Sequence, residues 1–283
     1  MGWFRRGVVV PVLRFSGAIG MAAPLRPGLS IASLGGAIET AFSMSRARSV
    51  AVVINSPGGS PVQSSLLFQR LRQLADEKKK KIYVFCEDVA ASGGYYLAVA
   101  GDEIYADASS IVGSIGVIST SFGLDRAIEK LGISRRVYTA GANKGALDPF
   151  QPENPDDIAR LKAVQQSVHD VFIGVVKDRR GGRLNGPDSE LFSGAFWSAP
   201  DALDYGLIDG ISDVRTKMRE LHGDDVRLRV VPVERSWLSA RFRKLPSVLA
   251  AGLVTGGERE GLALADDLVS AVEIRALWSR FGL

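Results

Sequence analysis

Apolar residues along this chain follow two rhythms. Short unbroken apolar runs alternate with stretches in which apolar positions recur every three or four residues, and glycines or turn residues separate most of them. The runs at 7–19, 49–55 (Ser-Val-Ala-Val-Val-Ile-Asn) and Ile82 to Phe85 are short and rich in β-branched or aromatic residues. A run with no polar alternation suits a strand buried on both faces of a parallel sheet. Glu103 to Ala106, Ile115 to Ser119, Arg136 to Thr139 and Leu207-Ile208-Asp209 read as further short strands.

Helical spacing fills the gaps. Ile31, Leu34, Ile38 and Phe42 share one face, and Leu67, Leu71 and Leu74 share another. The second helix has a start signal in Ser60-Pro61-Val62-Gln63: a capping serine, a proline at the first helical position and a glutamine placed to complete a capping box. Ala91 to Ala100 reads as a mostly apolar helix, and Leu124, Ala127, Ile128 and Leu131 mark another. After a proline-rich loop at 148–158, a long helix carries Leu161, Val164, Val168, Phe172 and Val175 on one face and stops at Arg179-Arg180-Gly181-Gly182. His169 lies beside that face and reads as structural or surface. Short helices follow from Ser198 to near Gly206 and over 212–221. The repetition of strand, glycine turn, helix and strand up to about residue 140 predicts an α/β layer with mostly parallel strands.

After residue 230 the pattern changes. Trp237, Leu238, Phe242 and Leu245 alternate with Arg235, Arg241, Arg243 and Lys244. Such a basic amphipathic segment can lie on an anionic bilayer or pack against a subunit. A second apolar-faced helix is expected over 261–281, with Ala265, Leu268, Val269, Val272 and Phe281. The chain therefore divides into a main domain, 1–230, and a helical C-terminal extension, 231–283, that contacts other subunits or a membrane.

Composition narrows the chemistry. With 283 residues, 46% of them hydrophobic, the chain can bury a substantial core. One cysteine excludes an internal disulfide, and Cys86, inside a strand-like run, reads as core. Two histidines argue against a histidine-rich metal cluster. The net charge of +4 permits contact with anionic lipid without demanding it. The lysine run Lys78 to Lys81 sits where a helix dipole favours cations, and no nucleic-acid motif accompanies it, so no nucleic-acid partner is expected. No apolar stretch is long enough for a transmembrane helix, and the N-terminal run reads as a strand rather than a signal peptide.

The candidate chemistry lies in the glycine loops. Ser92 opens Ser92-Gly93-Gly94-Tyr95-Tyr96, between a strand-like and a helix-like segment, and Ser56-Pro57-Gly58-Gly59-Ser60 stands upstream. A serine hydroxyl is a weak nucleophile until a base takes its proton, and a lysine amine made neutral by burial can be that base. A tetrahedral intermediate also needs backbone donors, which Gly58-Gly59 can expose. At a helix start, Ser92 would lie where developing negative charge is favoured. Each glycine cluster alone reads by default as a structural turn.

Together, Asn55-Ser56-Pro57-Gly58-Gly59, Ala91-Ser92-Gly93-Gly94-Tyr95-Tyr96 and Gly113-Ser114-Ile115-Gly116-Val117 resemble the signal peptide peptidase A family, peptidase family S49, in its short serine–lysine form. The resemblance spans roughly residues 8–215. It implies a Clp protease/crotonase-like α/β fold and a serine endopeptidase. Ser92 would be the nucleophile and Lys144, 52 residues later, the general base. Ser114 would orient the lysine. Gly59 would donate to the oxyanion, with the backbone N–H of Ser92 as the second donor, while Gly58 and Gly93 shape the turns.

No metal or organic cofactor is implied. The implied substrates are peptides, signal-peptide remnants or others derived from membranes, cut by a homo-oligomer. The implied setting is the bacterial cytoplasm or the periphery of the inner membrane. The chain departs from the family at Gly145, where an acidic residue is common after the lysine, and at Gly194-Ala195-Phe196-Trp197, which lacks the usual arginine. Those departures keep a catalytically inactive peptide-binding scaffold as an alternative. A crotonase-like acyl-CoA enzyme is the other.

Overall fold

The computed structural model describes residues 7–21, 28–233 and 270–283. At its centre are β1 (Val9–Ser16), β2 (Ser49–Ser56) and β3 (Lys81–Ala91), paired in parallel in the order β1-β2-β3. The unbroken apolar run of β2 has a direct cause. Val50, Val52 and Ile54 face one core cluster, while Ala51 and Val53 face the other. A strand covered on both sides has no solvent face to make polar.

Helix α1 (Ile31–Ser43), helix α2 (Pro61–Lys78) and the short α3 (Gly93–Ala98) bring apolar side chains to the larger cluster. Ser30 caps α1 reciprocally with Ser33. Ser60 caps α2 and Pro61 stands in its first turn, as the sequence predicts. Gln63 does not close the box, because its side-chain oxygen accepts the Ile31 N–H at 3.0 Å and so ties α2 to the start of α1.

The edge of β3 away from β2 serves two neighbours. Tyr83 to Cys86 pair with β4 (Glu103–Ala106), and Val89 to Ala91 pair with β5 (Ile111–Gly113). After β5 come α4 (Asp125–Lys130), the long α5 (Pro155–Arg180) and α6 (Asp188–Leu191). Then follow β6 (Phe196–Ser198), α7 (Ala199–Asp204), β7 (Gly210–Ile211), α8 (Val214–His222) and β8 (Arg227–Val230). Only the β5–β6 pair is antiparallel among the described strands. Met218 of α8 packs on the second face of the sheet. Cys86 is buried in the core, as expected, and burial pushes its thiol up to about 12.

Some expected strands are not strands. Ile115 to Ser119 and Arg136 to Thr139 are extended or irregular, and the strand in the first region is the shorter Ile111–Gly113. Apolar content alone does not make a ladder; a strand needs a neighbour to pair with, and neither segment has one here. The expected strand at Leu207 to Asp209 falls slightly later, at Gly210–Ile211. Residues 234–269, with Trp237, Phe242 and the arginines around them, lie outside the described residues. The end of the extension is described: residues 270–279 are helical, and Trp278 and Phe281 pack against Val89, Ala91 and Ile111.

Candidate active site

Ser92 stands where β3 ends and α3 begins, with φ 53° and ψ −122°. That backbone region is costly for a residue with a Cβ, so surrounding structure must hold it. Two features hold it here. The Ser92 N–H donates to the Gly113 carbonyl at 2.8 Å, and Tyr96 N–H donates back to the Ser92 carbonyl at 2.9 Å. The sharp turn leaves the serine partly exposed at the base of α3 while Gly93 to Ala98 are buried.

The glycines allow two backbones to meet at this point. A Cβ on Gly58 would lie 2.8 Å from the Ser92 Cβ, and one on Gly59 would lie 2.2 Å from the Ile19 carbonyl oxygen. Both take positive φ, 104° and 137°. The neighbouring amides are spent on structure: Gly58 N–H goes to Ser56 Oγ, and Ser60 N–H to the Ile19 carbonyl. The N–H groups of Gly59 and Gly93 have no acceptor among the described residues. They lie close together, since a Cβ on Gly93 would be 3.4 Å from the Gly59 nitrogen.

This corrects one expectation. The Ser92 N–H cannot be the second oxyanion donor while it is bonded to Gly113; the free amide beside Gly59 is that of Gly93. No motif shows this, because it depends on which carbonyl the neighbouring strand presents.

Ser114 is buried and follows β5 directly, with φ 52° and its N–H on the Ala195 carbonyl at 2.7 Å. The Ser92–Gly113 bond brings the two serines to adjacent strand ends. Gly113 also makes room for Trp197, since a Cβ there would meet the indole at 2.6 Å. Trp197, from the segment that departs from the family pattern, thus packs over Gly113 at the end of β5.

Lys144 is not brought to Ser92. It is exposed, on a run of turns, and makes no side-chain hydrogen bond with either serine. It belongs to an arm, residues 116–154, that leaves the body after Ile115 and returns at α5. Beside Ser92 opens a cavity of about 290 Å³, with Gly59, Pro61, Val62, Tyr96, Val117, Val168 and Phe172 in its lining. The Tyr96 and Phe172 rings lie 5.0 Å apart. This is a largely apolar pocket beside a strained serine and two amides without acceptors among the described residues.

A partly exposed serine on a strained turn beside two unbonded amides is an arrangement that serine hydrolases can use. Residues 75–227 match the sequence profile of Peptidase family S49, and the chain belongs to that family of serine peptidases.

The Na(+)/H(+) antiporter NhaA of Brucella abortus is 51% identical over 278 residues, which are 97% of this chain and 37% of that protein. The chloroplastic serine protease SPPA of Arabidopsis thaliana is 28% identical over 292 residues, 95% of this chain and 42% of that protein. The chain thus spans well under half the length of these relatives, and the antiporter name applies to a protein most of which lies beyond the match.

Among solved structures, a serine-to-alanine mutant of the membrane-bound stomatin-specific protease 1510-N superposes with a TM-score of 0.51 at 15% identity, over 81% of this chain and 99% of that one. That likeness concerns the fold, which is the Clp protease/crotonase-like α/β fold the motifs imply. Among the described residues, no helix is long and apolar enough to cross a membrane.

Proposed function

We propose that this chain is a serine endopeptidase working with a Ser92–Lys144 dyad on apolar, membrane-derived peptides such as signal-peptide remnants. The observation that carries it is the Ser92 elbow, set between the free amides of Gly59 and Gly93 and an apolar cavity. In the proposed cycle, the Lys144 amine takes the proton from Ser92 Oγ as that oxygen bonds to the scissile carbonyl carbon. Gly59 and Gly93 N–H hold the oxyanion. The C–N bond then breaks as Lys144 protonates the leaving amine, and water hydrolyses the acyl-enzyme. Ser114 orients the lysine.

The exposed position of Lys144 requires the arm to close, and assembly of copies is the proposed cause. Phe122 is 82% exposed, Leu131 72% and Tyr138 90%, all on the arm. Apolar surface on this scale is characteristic of an interface. A homo-oligomer would cover it and bring Lys144 to a Ser92. The basic segment around Arg241 and Trp237 would add contact with an anionic bilayer, at the cytoplasmic face of a bacterial inner membrane.

The same exposure of Lys144 favours one rival, an inactive peptide-binding scaffold. Cleavage of a quenched apolar peptide, with fluorophosphonate labelling of Ser92, decides between them. Wild type should cleave and label, while Ser92→Ala and Lys144→Ala should lose cleavage by at least about a thousandfold. Cleavage unchanged in both variants would sink the mechanism, and binding without cleavage by the wild type would favour the scaffold.

A further inference from the structure

His169, half-buried on α5, is flanked by Val168, Val171 and Phe172 of the cavity wall. Its Nε2 lies 3.0 Å from the carbonyl oxygen of Ile115. A carbonyl only accepts, so the ring carries a proton on Nε2 and donates it. Ile115 immediately follows Ser114 and is itself fully buried. The next two residues, Gly116 and Val117, line the cavity beside Ser92.

The bond stands at a critical place along the chain. Ser114 N–H, on the Ala195 carbonyl, is the last backbone tether before the arm. Beyond it, residues 118–150 hydrogen-bond, among the described residues, only within the arm or to Asp157 at the start of α5. On its other side, Gly116 already touches Gly194, since a Cβ there would lie 3.0 Å from the Gly194 Cα. Without the His169 bond, the wall has a steric stop on one side and nothing to fix its peptide plane on the other.

We propose that His169 is a positioning residue: by donating to the Ile115 carbonyl it fixes the cavity wall Gly116–Val117 and the root of the arm that carries Lys144. The consequence for cleavage rests on the peptidase reading; the tether itself does not.

The test compares the full-length wild type with His169→Leu, which keeps bulk without the donor, and His169→Gln, whose amide nitrogen can replace Nε2. Amide hydrogen exchange at Ser114, whose N–H is bonded to the Ala195 carbonyl next to the tether, should rise at least tenfold in His169→Leu and return close to wild type in His169→Gln. In cleavage of a quenched peptide with alanine and leucine around the scissile bond, kcat/KM should fall about tenfold in His169→Leu, mostly through KM. The glutamine variant should recover it. Unchanged exchange in His169→Leu would overturn the proposal, as would loss in both variants alike. Wild-type protein that shows the expected exchange pattern but cleaves nothing supports the tether and overturns the peptidase reading instead.

Discussion

The backbone N–H of Ser92 donates to the Gly113 carbonyl at 2.8 Å, and that bond organises the site. It closes the β3–β5 pairing at its last position, where Ala91 lies opposite Gly113. It therefore places Ser92 and Ser114 at neighbouring strand ends. It also occupies the Ser92 amide and leaves the next one, on Gly93, without an acceptor among the described residues and close to Gly59.

The strain at Ser92 is measurable. A non-glycine residue held at φ 53° and ψ −122° costs about 1–3 kcal/mol. Glycine removes that cost but adds about 0.5–1 kcal/mol of unfolded-chain freedom. Ser92→Gly should therefore be about 1 kcal/mol more stable than Ser92→Ala in urea denaturation, with cleavage lost in both. Equal stabilities would mean that the elbow stores no strain.

Gly59 should tolerate no side chain. A Cβ there would sit 2.2 Å from the Ile19 carbonyl oxygen, which is held by the Ser60 N–H at 2.8 Å. The backbone cannot retreat without breaking that bond. Gly59→Ala should cost about 3 kcal/mol or more from overpacking and positive-φ strain. Cleavage per folded molecule should drop about a hundredfold or more as the amide moves. Gly36→Ala in α1, with nothing within 4 Å of the new Cβ, should be neutral or stabilising and serves as the control. Similar midpoints for the two variants would refute the close approach.

The central strands were legible because each is buried on both faces, so β2 shows up as Val50 to Ile54 with no polar break. The motifs around Ser92, Ser114 and Gly59 pointed to residues that the fold brings to one place. Short strands were harder to read. Ile111–Gly113 and Phe196–Ser198 have three residues each, too few for a periodicity. Ile115 to Ser119 looked more strand-like than either, yet finds no partner to pair with. Lys144 was implied by the family resemblance alone, and a position along an arm does not fix a position in space. The His169 contact spans 54 positions and joins a ring to a backbone carbonyl, which leaves no mark in the local pattern.

Tyr95, three residues past Ser92, anchors α3 from below. Its hydroxyl donates to the Leu207 carbonyl at 2.7 Å, and the side chain is wholly buried. Burial pushes the phenol well above its ordinary range, so the donor keeps its proton. Tyr95→Phe leaves that carbonyl without its partner and should cost about 1–3 kcal/mol. A shift in the urea midpoint with an unchanged slope is the expected signature; a loss below about 0.5 kcal/mol would show that water replaces the hydroxyl.

Acid should weaken the fold through Asp209. Its carboxylate accepts from Arg180, which is 2% exposed, and from the Ile104 N–H at 2.7 Å. Burial tends to raise its pKa, but the Arg180 hydrogen bond and charge and the Ile104 N–H prevail, and the net direction is down. A carboxyl held below its unfolded value of about 3.9 contributes stability that is complete above that pH. The contribution disappears as the pH falls through the lower folded value. Wild type should lose stability from about pH 4 downward. Asp209→Asn should be weaker by about 3–5 kcal/mol at neutral pH, because Arg180 keeps a buried charge without its partner. It should also show a flatter acid limb. Parallel pH profiles for the two proteins would remove Asp209 as the cause.

The segment with Trp278 and Phe281 should stabilise the strand that ends at Ser92. Phe281 is 7% exposed and packs on Val89 and Ala91, the last apolar residues of β3 before Ser92. Its ring meets Phe196 of β6 at 5.2 Å, edge to face, so one side chain bridges β3 and the antiparallel edge beside β5. A fully enclosed phenylalanine costs about 3–5 kcal/mol on truncation to alanine. Phe281 keeps 7% exposure, so the lower end of that range, about 3 kcal/mol, is expected for Phe281→Ala. Val272, 67% exposed on the same terminal segment, should change stability by less than about 0.5 kcal/mol when truncated. Hydrogen exchange separates docking from a general loosening. Faster exchange in Phe281→Ala should concentrate at Val89 to Ser92 and Ile111 to Gly113, with β1 and β2 unchanged, whereas an even rise across the sheet would show that the segment with Phe281 has no special hold on the serine-bearing strand.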